Sequence, residues 1–303
     1  MWSGSAGISR AIALGLTLLA LLGAGPEAFR HGEHGGRSFR LYVPTGDAAA
    51  PRPLVVALHG CAQTPEDFAA GARLNEVAEA RNLLILYPRQ TPGHNPARCW
   101  NWFVPGRGTE GEPAQLLALI DHVRRTYPVD PERVVVLGFS AGAFMAVKLQ
   151  CLAPDVIGGI GVMAGGPYRC GEGLVGSIEC MRGVHLDGKA AAAACLAAMG
   201  RERRAIRASL WHGTEDSVVS PANLDALTTM LATIAGVDRG RTEPRDGAIH
   251  VTWADARGRA LFESWLVPET GHAWSGGEER GTQTYPAGPR ATELMLDFLL
   301  PGN

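Results

Sequence analysis

The stretch Val134–Ala146, VVVLGFSAGAFMA, restricts the fold of this chain more than any other. Three valines and a leucine favour an extended strand. They run into Gly138-Phe139-Ser140-Ala141-Gly142, and small apolar residues suited to a helix follow at once. A strand that turns into a helix within about one residue leaves the serine on a sharp corner with its hydroxyl pointing outward. Glycine is required on either side of that corner, because a Cβ there would meet the facing backbone. The strand has no polar face, so it belongs inside a parallel sheet covered on both sides.

The rest of the chain repeats this grammar. PLVVALHG (53–60), LLILYP (83–88), IGGIGVMAG (157–165) and ASLWHG (208–213) are also continuous apolar runs. Helical patterns lie between them. Residues 64–80 open with Thr64 as N-cap, Pro65 in the first turn and two acids behind it, and are expected to form one helix. Residues 112–127 place Leu116, Leu117, Ile120 and Val123 on one stripe and close on Arg124 and Arg125. Strand–helix alternation of this kind predicts an α/β fold with right-handed crossovers and a mostly parallel sheet carrying helices on both faces. Residues 249–269 read as two late strands joined at Ala254 to Arg259. Residues 166–206, with three cysteines and an alanine-rich helix, read as a disulfide-stapled insertion over one end of the sheet.

Ligands of open α/β sheets bind at the carboxyl ends of the strands, and four chemical signals fall at such ends. Ser140 is the candidate nucleophile. Asp216, just after ASLWHG, is the candidate acid that orients an imidazole, preferred over Glu215 beside it. His272, on a glycine-flanked loop ahead of the last helix, is the candidate base. The order Ser, Asp, His is that of α/β-hydrolases. The fourth signal, ALHGCAQ, ends an early strand. Its Cys61 N–H, with the N–H of Ala141 after the serine, is expected to form an oxyanion hole. His59 and His212 read as structural.

Taken together, LHGCAQTPEDFAAGARLNEVAEARNLLILYPRQ, CWNWF, GFSAGAFMA, AGGPYRC, HGTEDSVV and GHAWSGG resemble the catalytic domain of extracellular poly(3-hydroxybutyrate) depolymerases, a group close to secreted feruloyl and acetylxylan esterases. The resemblance runs over roughly residues 37 to 300. It implies an α/β-hydrolase in which Ser140, Asp216 and His272 form the triad, Cys61 and Ala141 form the oxyanion hole, and Trp100, Trp102 and Trp274 lie near the cleft. Ser275 stands where the family usually has proline. Depolymerases of solid polymer often add a linker and a polymer-binding domain, and neither follows residue 300 here. The expected activity is therefore a serine carboxylic ester hydrolase acting on short-chain hydroxyalkanoate esters or polyester. The alternatives are a feruloyl or acetylxylan esterase, a peptidase using the same triad, and a non-catalytic binding protein on the same fold.

Arg10 followed by AIALGLTLLALLGAG, too short an apolar run for a spanning helix, reads as an export signal over residues 1–28, cleaved near Ala24 to Ala28. Residues 29–303 are then one esterase domain, secreted to the periplasm or medium, without stable membrane insertion. HGEH (31–34) reads as polar linker. The net charge of −2 gives no electrostatic reason to expect nucleic acid, and no partner protein, cofactor or metal is implied. Six cysteines behind an export signal imply disulfides. The expected pairs are Cys61–Cys99, Cys151–Cys170 and Cys180–Cys195. The first would brace the oxyanion strand end, the second would tie the nucleophile helix to the next loop, and the third would staple the insertion.

Overall fold

The computed structural model describes Met1, residues 28–106 and residues 110–302. The export signal lies outside the described residues except for Met1 and Ala28. The chain opens with three strands, β1 (Phe29–His34), β2 (Arg37–Tyr42) and β3 (Arg52–Leu58), and two helices, α1 (Pro65–Gly71) and α2 (Leu74–Arg81). Next come β4 (Leu84–Pro88), α3 (Gly111–Thr126), β5 (Val129–Phe139), α4 (Ala141–Leu152) and β6 (Gly159–Met163). The insertion carries α5 (Gly173–Met181) and α6 (Gly188–Met199) and leads to β7 (Ala208–Gly213) and α7 (Ala222–Ala235). The chain closes with β8 (Arg241–Arg245), β9 (Ala248–Ala254), β10 (Ala260–Val267), the short β11 (Trp274–Ser275) and β12 (Thr284–Tyr285), and α8 (Ala291–Leu299).

Ten strands form one sheet in the order β1-β2-β4-β3-β5-β6-β7-β10-β9-β8. The middle, from β4 to β10, is parallel, and antiparallel strands extend it at both edges. Alternate residues of the central strands enter two separate cores. Leu54, Val56 and Leu58 of β3 and Val134 and Val136 of β5 join the core under α3, α4, α6 and α7. Val55, Ala57, Val135, Leu137 and Phe139 join the one under α1, α2 and α8. Neither face is left to water, which is why these strands read as unbroken apolar runs. Helix α4 is enclosed on all sides, with every residue from Ala141 to Cys151 buried.

The structure corrects the sequence reading in two places here. HGEH is not linker. His31 to His34 belong to β1, an edge strand paired antiparallel with β2, and one exposed face gave it a polar sequence. Residues 64–80 are two helices. Thr64 caps the first as expected, its Oγ1 accepting from Asp67 N at 3.2 Å. Arg73 then turns left-handed at φ 57°. The end of α1 is occupied from outside the helix, since Gly71 O accepts from Glu278 N at 2.8 Å and Ala72 O accepts from Thr292 Oγ1 at 2.5 Å.

Candidate active site

Ser140 makes the turn between β5 and α4 alone, at φ 54° and ψ −121°. A non-glycine residue held there stores about 1–3 kcal/mol of strain, and the surroundings enforce it. Ser140 N donates to Met163 O on β6 at 2.9 Å, and Ser140 O accepts from Ala143 N and Phe144 N of the first helical turn. A Cβ on Gly138 would lie 2.2 Å from Gly142 O, and one on Gly142 would lie 2.1 Å from Leu58 O and 2.8 Å from His59 O. The second contact brings the start of α4 against the end of β3, so the backbones leading to Cys61 and Ala141 meet at one place. Ala62 N donates to Ala97 O at 2.9 Å, whereas among the described residues the N–H groups of Cys61 and Ala141 make no comparable backbone bond.

Asp216 follows β7 and its side chain is fully buried. One carboxylate oxygen accepts from Val218 N at 2.9 Å and Val219 N at 2.8 Å. The other accepts from His272 Nδ1 at 2.7 Å and lies 3.5 Å from His212 Nε2. Burial alone would raise the pKa of this carboxyl. Hydrogen bonds from His212, His272 and Val219 N–H, with the charge His272 can carry, reverse that and hold it well below the ordinary carboxylate range. Donation from Nδ1 leaves Nε2 of a neutral His272 as the acceptor. Its ring lies 4.8 Å from that of Phe139, the residue before Ser140. The neighbouring Glu215 is exposed. Its N–H donates to Thr270 O at 2.9 Å.

His59 is fully buried beside the turn that leads to Cys61. Its Nδ1 donates to Gly60 O at 2.8 Å, its Nε2 accepts from Gln90 N at 3.2 Å, and its carbonyl accepts from Trp100 Nε1 at 2.9 Å. Burial, reinforced by Arg89 and Arg98 and opposed by the bond to Gly60, pushes its pKa down to about 4. His59 is a neutral brace for the end of β3.

The three tryptophans separate. Trp102 stacks on Phe144 with ring centres 4.2 Å apart and lines a cavity of about 490 Å³ beside α4. Trp100 and Trp274 do not reach a cleft, which corrects the expectation for both. Trp100 is sealed in the core, its N–H spent on His59 O. Trp274 packs edge-on to Phe68 and donates to Thr292 Oγ1 at 3.0 Å. A satisfied indole N–H lets so large a ring serve as core.

The structure contains the bridge Cys61–Cys99. The other two expected pairs, Cys151–Cys170 and Cys180–Cys195, are replaced by Cys151–Cys195 and Cys170–Cys180. Helix α6 packs directly on α4, so Cys195 is the partner that Cys151 meets in the buried seam. Cys170 and Cys180 instead close a short loop around α5. That helix had no clear sequence signal. Its N-terminal Gly173 N donates to Phe103 O at 3.0 Å, and Met181 O at its far end accepts from Ser220 N at 2.7 Å. Lys148 was missed as well, because a lysine in an apolar helix reads as its solvated edge. It is in fact 7% exposed and donates to Trp102 O at 3.1 Å and Val104 O at 2.5 Å. Among the described residues no group of His, Cys, Asp or Glu side chains is arranged to hold a metal ion, and no described helix is long and apolar enough to cross a membrane.

The strand order, the serine corner and the acid and histidine loops at neighbouring strand ends define an α/β-hydrolase. Among solved structures, the acetyl xylan esterase from Aspergillus awamori shares this fold with a TM-score of 0.70 at 20% identity, over 80% of this chain and 93% of that one. The family described as Esterase PHB depolymerase matches residues 37–249, and the chain belongs to that family. The poly(3-hydroxyalkanoate) depolymerase C of Paucimonas lemoignei is 34% identical over 76% of this chain and 57% of its own length. The poly(3-hydroxybutyrate) depolymerase of Ralstonia pickettii is 30% identical over 78% of this chain and 51% of its own length. The chain thus spans little more than half of either depolymerase. The feruloyl esterase B of Neurospora crassa is 26% identical over 75% of this chain and 82% of its own length.

Proposed function

We propose that this chain is a secreted serine esterase that hydrolyses short-chain hydroxyalkanoate esters or polyester. The observation that carries the reading is the 2.7 Å bond between His272 Nδ1 and the buried Asp216, on loops beside the serine corner. In this reading His272 Nε2 takes the proton of Ser140 as Oγ attacks the ester carbonyl. The N–H groups of Cys61 and Ala141 stabilise the resulting oxyanion, and the positive end of α4 adds to them. Collapse expels the alcohol, protonated by His272, and leaves an acyl group on Ser140. Water, activated by the same histidine, then releases the acid. Asp216 stays ionised throughout and stabilises the imidazolium.

Family membership and the depolymerase relatives support the hydroxyalkanoate substrate. Three disulfides and the apolar run after Arg10 support export. A feruloyl or acetylxylan esterase is the second reading, favoured by the larger share of the feruloyl relative that the chain covers. A panel of hydroxybutyrate oligomers, polymer film, p-nitrophenyl esters of rising length and methyl ferulate separates the two. Ser140→Ala should abolish turnover of the preferred ester and labelling by a fluorophosphonate while the protein stays folded. Wild-type turnover in that variant would remove Ser140 from the mechanism.

A further inference from the structure

The cavity beside α4 contains a buried ammonium that forms no ion pair among the described residues. Lys148 lines it, together with Trp102, Phe144, Pro167, Tyr168 and Glu172. The Lys148 ammonium has three donors. Two are spent on the carbonyls of Trp102 and Val104, and among the described residues it makes no ion pair. Burial lowers its pKa, against which Glu112 and Glu172 pull only from a distance. Glu172 is itself engaged by Arg169, whose Nε donates to it at 2.7 Å, and Glu110 stands at the exposed rim. A buried ammonium is costly unless an anion or further hydrogen bonds compensate it.

The cavity is joined to the serine corner by α4 itself. Phe144 is one turn after Ser140 and hydrogen-bonds to its carbonyl at 3.1 Å, and Lys148 is one turn further. Eight helical residues rise about 12 Å. Helical side chains lean toward the N-terminus, the end of α4 that Ser140 caps. That is the reach of a short ester whose far end is charged. Hydrolysis of a hydroxyalkanoate chain leaves a carboxylate on every shortened fragment. The stacked rings of Trp102 and Phe144 offer an apolar wall for the aliphatic repeat unit between the two ends.

We propose that Lys148 is a specificity-determining residue that binds the free carboxylate of short hydroxyacid esters. This rests on the esterase reading above and adds to it a preference for acidic oligomers over neutral ones. The test compares kcat/KM for the 3-hydroxybutyrate dimer and for its methyl ester, at low salt and neutral pH, in wild type, Lys148→Met and Lys148→Arg. A hydrogen bond to an ionised group predicts that wild type prefers the acid by roughly ten-fold or more. Lys148→Met should bring the ratio close to one, and Lys148→Arg should keep most of it. Because the readout is a ratio, loss of the clamp on the Trp102 and Val104 carbonyls cancels. A ratio near one in wild type, or one unchanged in Lys148→Met, overturns the proposal. Should Lys148→Met fail to fold, two wild-type measurements decide. The acid preference should shrink with added salt, and calorimetry should give 3-hydroxybutyrate a Kd about ten-fold below that of methyl 3-hydroxybutyrate. Equal affinities overturn the proposal. Calorimetry does not depend on turnover, so a chain that binds the acid but cleaves no ester would refute the esterase reading and leave the carboxylate site standing.

Discussion

Acid should loosen this protein through one histidine. Nε2 of His59 accepts the Gln90 N–H at 3.2 Å, so a proton on Nε2 would set two donors against each other inside a sealed core. The folded protein therefore resists protonation down to a pKa of about 4, against an ordinary 6.5 for an exposed histidine. Between those values the unfolded chain binds the extra proton and the folded chain does not. Stability contributed by His59 is thus complete above pH 6.5 and is lost progressively as pH falls toward 4. At about 1.36 kcal/mol per pH unit, the whole interval is worth about 3 kcal/mol, and about 2 kcal/mol of it is gone by pH 5. Urea unfolding of wild type and His59→Gln at half-unit steps from pH 7.5 to 4.5 measures this directly. Other groups titrate alike in both proteins, so the difference between the two stability curves isolates His59. Wild type should lose about 2 kcal/mol more than the variant between pH 7 and pH 5. Parallel curves, or a His59 ring signal that titrates near 6.5 in the folded protein by NMR, would refute the reasoning.

Three further outcomes are expected. Asp216→Asn should lower kcat by about 10⁴-fold, because an amide supports the wrong imidazole tautomer; Glu215→Gln should change it by less than about two-fold, and steady-state kinetics on a p-nitrophenyl ester decides between the two acids. Gly142→Ala puts a methyl group 2.1 Å from Leu58 O and should either block folding or push the serine corner away from β3, read as a lower melting temperature together with lost fluorophosphonate labelling. Replacing both Cys61 and Cys99 with serine opens a loop with a separation of 38 residues and should cost about 4 kcal/mol in the chain-entropy model, measured by denaturant unfolding under non-reducing conditions.

Much of this molecule could be read along the chain because the signals are local. The run before Ser140, the two glycines around it and the order Ser, Asp, His each depend on a few neighbouring residues. Asp216 could be preferred to Glu215 from the SVVSP that follows it, and in the structure Val218 N and Val219 N of that stretch donate to its carboxylate. What was misread depended on distant packing. Cys151 pairs with Cys195 because α6 lies across α4, and nothing near either cysteine encodes that contact. Trp100 and Trp274 resembled cleft aromatics until His59 O and Thr292 Oγ1 were seen to satisfy them. Lys148 drew no reading from the sequence because the carbonyls it holds are 44 and 46 residues away.

The acid and histidine loops are not independent supports. Strands β7 and β10 are parallel neighbours, and their hydrogen bonding continues past the strand ends. Thr214 N donates to Val267 O at 3.0 Å and Glu215 N to Thr270 O at 2.9 Å, while Gly213 is so close to Thr270 O that a Cβ would stand 2.1 Å from it. Asp216 and His272 therefore ride on one stiff body. Ser140 rides on another, formed by β5, α4 and the end of β3, with β6 as the seam between the two. Strand β6 is hydrogen-bonded to both, through Ser140 N to Met163 O on one side and Ala164 N to Trp211 O on the other, each at 2.9 Å. In the triad reading, the placement of serine against histidine therefore passes through β6, and a substitution that disturbs its packing between β5 and β7 should lower turnover even though it touches none of the three residues.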